Sequence, residues 1–174
     1  MKYKLFAIIV LGLTISCSTT KTSVIVADSY DKTTNITTLS LLPYGNIEIP
    51  GQWTKTRYNE VSRQHFFVDK DSTSIAITKN PQEKYPFYHD SISDKEFAMK
   101  FFEWEKDFYE KHGYEIQESS KSNNFVIWTA SGNNANTIFL YGAKNKYAYN
   151  FSVFSDNWAE EERKNFLKNI FEIN

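Results

Sequence analysis

The chain has 174 residues and a mass of 20.3 kDa, with 41% hydrophobic and 17% aromatic residues. A domain of about this length buries roughly 70% of its unfolded surface, so it needs no disulfide or metal for stability. Its 20 basic and 21 acidic residues leave a formal net charge of −1, so it lacks the basic field that recruits nucleic acid, and no nucleic-acid partner is expected. A mean hydropathy of −0.52 with 14 Phe, 11 Tyr and 4 Trp excludes both a disordered chain and a polytopic membrane protein.

The N-terminus has the pattern of a signal peptide. Lys2 and Lys4 precede an apolar run at residues 5–15, and eleven residues fall short of the roughly 20 needed to span a bilayer. The run is followed by Ser16 and Cys17, which is the only cysteine of the chain. Two other interpretations stay open: an uncleaved N-terminal anchor, and a secreted protein whose lone cysteine has no role.

Residues 13–17 (L-T-I-S-C) resemble the signal of bacterial lipoproteins. The resemblance implies that residues 1–16 are removed, that Cys17 carries lipid and that residues 17–23 form a polar tether. Ser18, in place of an aspartate after the cysteine, resembles lipoproteins passed on to an outer membrane, which implies the cell envelope of a Gram-negative bacterium. Each buried methylene contributes about 0.8 kcal/mol, so several acyl chains anchor a protein stably. The membrane is therefore an expected partner through Cys17.

Residues 24–174 are predicted to form one α+β domain that begins with short strands. Alternating apolar residues between turn residues predict strands at residues 24–27, 36–41, 46–49, 63–69 and 73–79. Residues 80–92 contain Pro81 and Pro86 and are expected to form a loop.

The strongest helical pattern lies between Ser93 and Gly113. Ser93 with Glu96 matches a capping box, and Gly113 is a typical helix stop. The apolar side chains fall in one arc of about 160° on a helical projection; they are Phe97, Ala98, Phe101, Phe102, Trp104, Phe108 and Tyr109. The pattern predicts a helix that lies on a sheet, with Phe101 and Phe108 at the centre of the contact.

Four strands and a second helix complete the prediction. The strands are expected at residues 114–118, 125–130, 137–141 and 147–154, with turns rich in Asn, Gly and Ser, including one at residues 142–146. In the last strand, Tyr147, Tyr149, Phe151 and Val153 share one face, and Ala148, Asn150, Ser152 and Phe154 form a mixed opposite face. The last helix is expected at residues 158–173, with Asn157 as its N-cap and a buried stripe of Ala159, Phe166, Leu167, Ile170 and Ile173.

Short links between the later strands imply an antiparallel sheet, and separate helices that cover it imply an α+β fold. Residues 46–53 (N-I-E-I-P-G-Q-W), the central helix, the meander and residues 166–171 (F-L-K-N-I-F) look like the Mog1/PsbP-like fold, over roughly residues 45–174. This resemblance implies an antiparallel sheet sandwiched by helices, in a family that includes many small bacterial lipoproteins. It also implies that the protein assists partner proteins, and it assigns no catalytic residue to this chain.

No motif in the sequence indicates catalysis. The lone thiol is expected to carry lipid, the three histidines are scattered, and the sequence has no G-x-S-x-G elbow, phosphate loop, H-E-x-x-H or paired C-x-x-C. We therefore expect no enzyme, no catalytic residue, no cofactor and no metal ligand. A Ser-His-Asp arrangement assembled by folding stays open, and with it an envelope hydrolase as the third hypothesis.

Two places carry candidate ligand or partner residues. Tyr88, His89 and Asp90 lie in the aromatic loop before the first helix, and they indicate either a metal or polar-ligand site or a loop pinned to the core by its rings. Glu105 projects into the apolar arc of the first helix, where a carboxylate needs a partner or solvent. It is expected to form an ion pair or hydrogen bond with a strand residue, and the functional alternative is a buried polar site.

The leading hypothesis is a lipid-anchored, non-catalytic envelope protein that binds or assists another envelope protein. The alternative is a domain that binds a small glycan, lipid or metal. The surplus of aromatic residues fits both core packing and an exposed patch for a partner. The fold separates the two hypotheses: a closed core favours a protein partner, and a concave aromatic pocket with convergent polar groups favours a ligand.

Overall fold

A computed structural model describes residues 24–132 and 135–174; the predicted signal peptide, Cys17 and the tether lie outside them. Within the described residues the strands are β1 (Ile25–Asp31), β2 (Ile36–Leu42), β3 (Asn46–Pro50), β4 (Thr54–Asn59), β5 (Gln64–Val68), β6 (Ser74–Pro81), β7 (Glu115–Lys121), β8 (Phe125–Gly132), β9 (Ala135–Lys144) and β10 (Tyr147–Phe154). The helices are α1 (Asp94–Lys111) and α2 (Glu160–Ile173), and a short 3-10 turn covers Gln82–Lys84.

The described strands form two antiparallel sheets. One has the order β1-β2-β3, and the other has the order β4-β5-β6-β10-β9-β8-β7. The predicted α+β class with an antiparallel sheet between helices is confirmed. The separation of the first three strands into their own sheet was not predicted, and β4 was missed because its residues T-K-T-R-Y-N lack an apolar alternation.

One face of the large sheet, here called the closed face, is covered by α2 and the three-stranded sheet. Its core joins Leu39, Leu41, Ile47, Ile49, Trp53, Phe67, Ile75, Ile77, Phe125, Ile127, Ile138, Leu140, Tyr149, Phe151, Val153, Leu167, Ile170 and Phe171. Gly142 was expected in a turn, but it lies within β9 on this face, and a Cβ there would overlap the ring of Phe171. The glycine therefore lets α2 pack directly on the sheet, and the turn itself is formed by Asn145 and Lys146, which both have positive φ.

The opposite face, here called the half-open face, is covered by α1 over β7, β8 and β9. Its core joins Phe97, Ala98, Phe101, Phe102, Val126, Trp128, Ala130, Phe139, Tyr141, Ala143 and Ala148. The ring of Phe101 stacks on Tyr141 with 4.5 Å between centroids. On the same face, β10 and β6 carry small and polar residues such as Asn150 and Thr78, over which α1 does not extend its buried stripe.

The first helix follows its predicted boundaries, but its contact is narrower than expected. The backbone N–H of Glu96 donates to Ser93 Oγ at 3.2 Å, as the capping prediction requires. Phe108 was expected at the centre of the contact, whereas it is 55% exposed, and Trp104 is 48% exposed. The prediction was wrong because Phe108 lies toward β6 and β10, which carry polar residues on this face, whereas Tyr109 at the same end of α1 packs on Trp128.

The second helix begins at Glu160, and its N-cap is Ala159 without a side-chain hydrogen bond, so the predicted Asn157 cap was wrong. Asn157 instead donates from Nδ2 to the carbonyl of Asp71 at 3.0 Å. Ile173 is exposed, whereas the unpredicted Arg163 is buried and donates to the carbonyl of Asn136 at 2.9 Å. The helix is thus rotated toward Arg163 relative to the predicted stripe.

Both outer strands of the large sheet carry a β-bulge. The register of β4 against β5 shifts between Lys55 and Arg57, and that of β7 against β8 shifts between Glu118 and Ser120. Bulges twist an edge away from regular pairing.

Candidate functional site

A groove of about 750 Å³ lies between α1 and the uncovered part of the half-open face. Its lining comes from the β4–β5 turn, the strands β6 and β10, the segment before α1 and one side of α1. The lining residues are Asn59, Val61, Ser62, Arg63, Gln64, Thr78, Asn80, Lys84, Tyr85, Phe101, Trp104, Glu105, Asp107, Phe108, Tyr109, Lys111 and Asn150. We refer to this hollow as the groove.

The wall of the groove on the α1 side is aromatic because the apolar stripe of the helix is wider than the apolar part of the sheet below it. Phe101 is buried against Tyr141, whereas Trp104 and Phe108 lie toward β6 and β10, where the strands carry polar residues. Tyr85 packs at 4.7 Å from Phe101 and at 6.1 Å from Trp104, measured between ring centroids. These rings form a rim that is partly exposed and partly anchored in the core.

The floor of the groove is polar and buried. Thr78, Asn80 and Asn150 are at most 9% exposed. Thr78 Oγ1 donates to the carbonyl of Arg63 at 3.3 Å, whereas Asn150 Oδ1 has no hydrogen-bond partner within the described residues. A buried acceptor without a donor is costly and is uncommon in folded proteins.

Glu105 lies at the inner wall of the groove. Burial raises the pKa of its carboxyl to about 7, and the neighbouring Tyr141 hydroxyl lowers it by less. The Tyr141 hydroxyl has no well-formed hydrogen bond in the described part of the chain, so this contact does not fully satisfy the hydroxyl. The predicted strand partner is therefore present in Tyr141, but no Lys, Arg or His nitrogen among residues 24–132 and 135–174 lies within 4 Å to form an ion pair with Glu105.

Three tyrosines surround the Glu105 carboxyl. Burial raises the pKa of Tyr85 to about 12, and burial followed by the charge of Glu105 raises the pKa values of Tyr109 and Tyr141 further. These hydroxyls therefore keep their protons at neutral pH, and Glu105 is the group at the inner wall whose charge changes near pH 7. The arrangement can bind and orient a ligand, and it can exchange one proton in doing so.

The structure does not bring Tyr88, His89 and Asp90 into the groove. His89 Nδ1 lies 3.1 Å from Ser91 Oγ, its Nε2 lies 3.6 Å from Glu96 Oε1, and the Tyr88 hydroxyl donates to Asp90 Oδ1 at 3.3 Å. These contacts are exposed, and they attach the loop to the first turn of α1 while the Tyr88 ring packs against the core. Within the described residues, no group of three or more His, Cys, Asp or Glu residues is placed to hold a metal.

A second hollow of about 520 Å³ lies at the end of the sandwich, next to Trp53, Trp158 and Phe166. The Trp158 and Phe166 rings pack edge-on with 5.0 Å between centroids. The carboxylate of Asp69 also lines this hollow, but it already accepts the backbone N–H of Asp71 and of Thr73, at 2.9 and 2.8 Å. The groove is the stronger candidate because its polar groups are not satisfied in this way.

Sequence reasoning found Glu105 but missed the residues around it. Asn150 belongs to the mixed face of β10, and this mixed face was the one available signal for an uncovered part of the sheet. Tyr141 and Tyr85 come from elements remote in sequence from Glu105, so only the folded chain brings them together.

Comparisons with known proteins add little to this geometry. The sequence matches no protein-family model, and no curated protein matches it. Among solved structures the chain is similar to the solution structure of cyanobacterial PsbP (CyanoP) from Synechocystis sp. PCC 6803, with 15% identity, a TM-score of 0.34, and coverage of 92% of this chain and 95% of that one. We draw no argument from a similarity at this level. Among the described helices, none is both long and apolar enough to cross a membrane.

Proposed function

We propose that this chain is a lipid-anchored, non-catalytic protein of the cell envelope that works by binding, and that its binding site is the groove. The observation that carries the binding function is the combination, within the described residues, of a buried polar floor, a Glu105 carboxyl without a cationic partner and an exposed aromatic rim in one hollow. Ligand sites are typically concave, largely apolar, and equipped with a few convergent polar groups.

The groove favours the ligand hypothesis over the protein-partner hypothesis. A fully closed core was the expectation for a domain that only docks on another protein, and the closed face meets that description. The half-open face does not, because Asn150 and Thr78 lie below an opening instead of below a helix. Another envelope protein remains a second candidate occupant, since Trp104 and Phe108 are exposed at the rim and aromatic residues are enriched in protein interfaces.

Anchoring is tested by the change Cys17→Ser in the full chain. If Cys17 carries lipid, the wild type partitions into detergent with a mass that includes acyl chains, and the variant does not. Ser18→Ala is the matched control and retains the partition. Equal partitioning and equal masses of wild type and Cys17→Ser would contradict the proposed anchor.

Binding through the groove is tested by a photo-cross-linking residue in place of Phe108. The control carries the same residue in place of Ile173, which is 46% exposed and lies on α2, on the other side of the large sheet. We expect an adduct of defined mass from intact envelopes at position 108 only, and its loss when Trp104 is also changed to Ala. Equal labelling at both positions, or no adduct at position 108, would contradict a role for the groove.

A further inference from the structure

We propose that the groove binds its ligand through a primary ammonium group, which lies beside Glu105 and donates hydrogen bonds to the acceptors around it. This inference rests on the proposed function and names the ligand chemistry of the same site. It rests on three observations: hydrogen-bond acceptors at the inner wall that lack donors, the aromatic wall of the groove, and the position of the charged side chains.

The inner groove has acceptors that lack donors. Within the described residues, no cationic side chain pairs with Glu105, and Asn150 Oδ1 is buried at 8% exposure of its residue without a hydrogen-bond partner. An ammonium group has three N–H donors and no acceptor, so it supplies what these groups lack. A carboxylate or phosphate ligand at the inner wall would place further acceptors beside Glu105 and Asn150.

The aromatic wall fits a cation in a second way. Trp104, Phe108 and Tyr85 line the side of the groove next to Glu105, and the faces of such rings attract cations, with Trp the strongest. An aromatic or aliphatic stem on the amine can also cover the exposed parts of Trp104 and Phe108. The same wall gives no advantage to a small hydrated metal ion.

The charged side chains of the groove favour a cation at the inner wall, beside Glu105, and not at the solvent-exposed edge. Arg63, Lys84 and Lys111 line the groove with exposed side chains, where solvent and salt screen their repulsion. Glu105 is more deeply buried, so its attraction is screened less. Asp107 is exposed as well, so Glu105 provides the one carboxyl at the inner wall of the groove. A single carboxyl suits an ammonium group better than a divalent metal, which needs several oxygen ligands.

The inference gives binding a definite pH dependence. The groups that face Glu105 or line the groove near it are Tyr109, Asp107 and Lys111 on α1, Tyr85 and Lys84 before α1, Tyr141 on β9, and Arg63 in the β4–β5 turn. Since the pKa of Glu105 is about 7, its ionised fraction rises from about one tenth at pH 6 to about nine tenths at pH 8. An amine that needs the carboxylate therefore binds about tenfold more tightly at pH 8 than at pH 6.

The test measures phenethylamine binding to the full chain in non-ionic detergent by calorimetry, against the neutral isostere 2-phenylethanol. We expect phenethylamine to bind more tightly than the alcohol, with a Kd that falls about tenfold from pH 6 to pH 8, whereas the Kd of the alcohol stays constant. Equal affinity for the two probes or a flat pH profile for the amine would overturn the inference, and so would the absence of measurable affinity for both this amine and the lysine derivative used below.

Three variants connect the binding to the named groups. Glu105→Gln keeps the shape of the side chain and is expected to raise the Kd of phenethylamine at pH 8 about tenfold and to remove the pH dependence. Glu103→Gln makes the same change at an exposed position two residues away and is expected to change nothing. Trp104→Ala removes a half-exposed ring at the rim, and it is expected to keep the fold and to raise the Kd several-fold, with a thermal melt as the check on folding. Identical behaviour of the two glutamine variants would overturn the inference.

A further arm separates two sources of the ammonium group. Nα-acetyl-lysine amide represents a lysine side chain of another envelope protein, and phenethylamine represents a small free amine. The tighter of the two probes identifies the source. If neither binds while the adduct at position 108 still forms in envelopes, the ammonium inference fails and the binding function stands; if the adduct is absent while the amine binds, the binding function in envelopes fails instead.

Discussion

The two faces of the large sheet differ in what covers them, although the same strands build both. On β10, Tyr149, Phe151 and Val153 enter the closed face, and Asn150 and Ser152 lie on the half-open face. The apolar set is covered by α2 and the small sheet, whereas the polar set lies beside the groove. The difference teaches that a strand with one polar face can mark an uncovered part of a sheet even when most of its residues are buried.

The faces also differ in the behaviour of their buried titratable groups. His65 lies on the side of β5 that carries Phe67 into the closed core, and burial, with the nearby charge of Lys55 as a smaller cause, lowers its pKa to about 4. Burial raises the pKa of Glu105 to about 7. Burial favours the neutral form of both groups, but the charge of Glu105 changes close to neutral pH, where a small change in its surroundings matters.

The largest loss of folding stability is expected where α1 packs on the apolar part of the half-open face. Phe101→Ala removes a ring that is 1% exposed and stacked on Tyr141, so it is expected to lower the free energy of unfolding by about 3–5 kcal/mol. Denaturant melts of the full chain in non-ionic detergent measure it. A loss below about 1 kcal/mol would mean that α1 is not held by this contact.

Glu105→Gln is expected to stabilise the protein at pH 8. The unfolded carboxyl loses its proton near 4.5, but the folded one keeps it up to about 7, so the folded state loses stability as pH rises through this window. The loss is complete above pH 7 and amounts to about 2–3 kcal/mol, which the amide removes. At pH 4 the wild type and the variant should unfold alike. Melts at both pH values check this, with Glu103→Gln as the exposed control, and a variant less stable than wild type at pH 8 would contradict a costly Glu105 carboxylate.

The smallest effect is expected at the rim of the groove. Phe108→Ala should change the free energy of unfolding by less than about 1 kcal/mol, because the ring is 55% exposed. Lys106→Ala, on the exposed side of α1, should change it by less than about 0.5 kcal/mol. The same melts measure both. A loss at Phe108 as large as that at Phe101 would show that the rim belongs to the core and that the half-open face is closed in solution.

Much of the fold could be predicted because local patterns determine it. The boundaries of β10, the Ser93 cap and the α1 pattern followed from alternation, capping chemistry and helical spacing. The division into two sheets and the position of Gly142 against Phe171 depend on long-range packing, which leaves no periodic signal in the sequence.

The site was only partly predictable for a related reason. Glu105 was identifiable because a carboxylate in an apolar arc conflicts with its surroundings. Phe108 was wrongly predicted to be buried because periodicity shows which residues share a side of a helix. It does not show how much of the sheet lies below that side. Tyr141 and Asn150 approach Glu105 only through strand order, which the sequence does not encode locally.

The bulges at both borders of the large sheet have a consequence for how copies of this protein behave at high density. Outer strands offer free N–H and C=O groups to any passing strand, and regular pairing there leads to fibrous growth. Here the register breaks beside Arg57 and beside Glu118, so an approaching strand meets a twist and a charge at either border. Even at high local concentration, copies of this chain should therefore resist strand-to-strand pairing at these two borders.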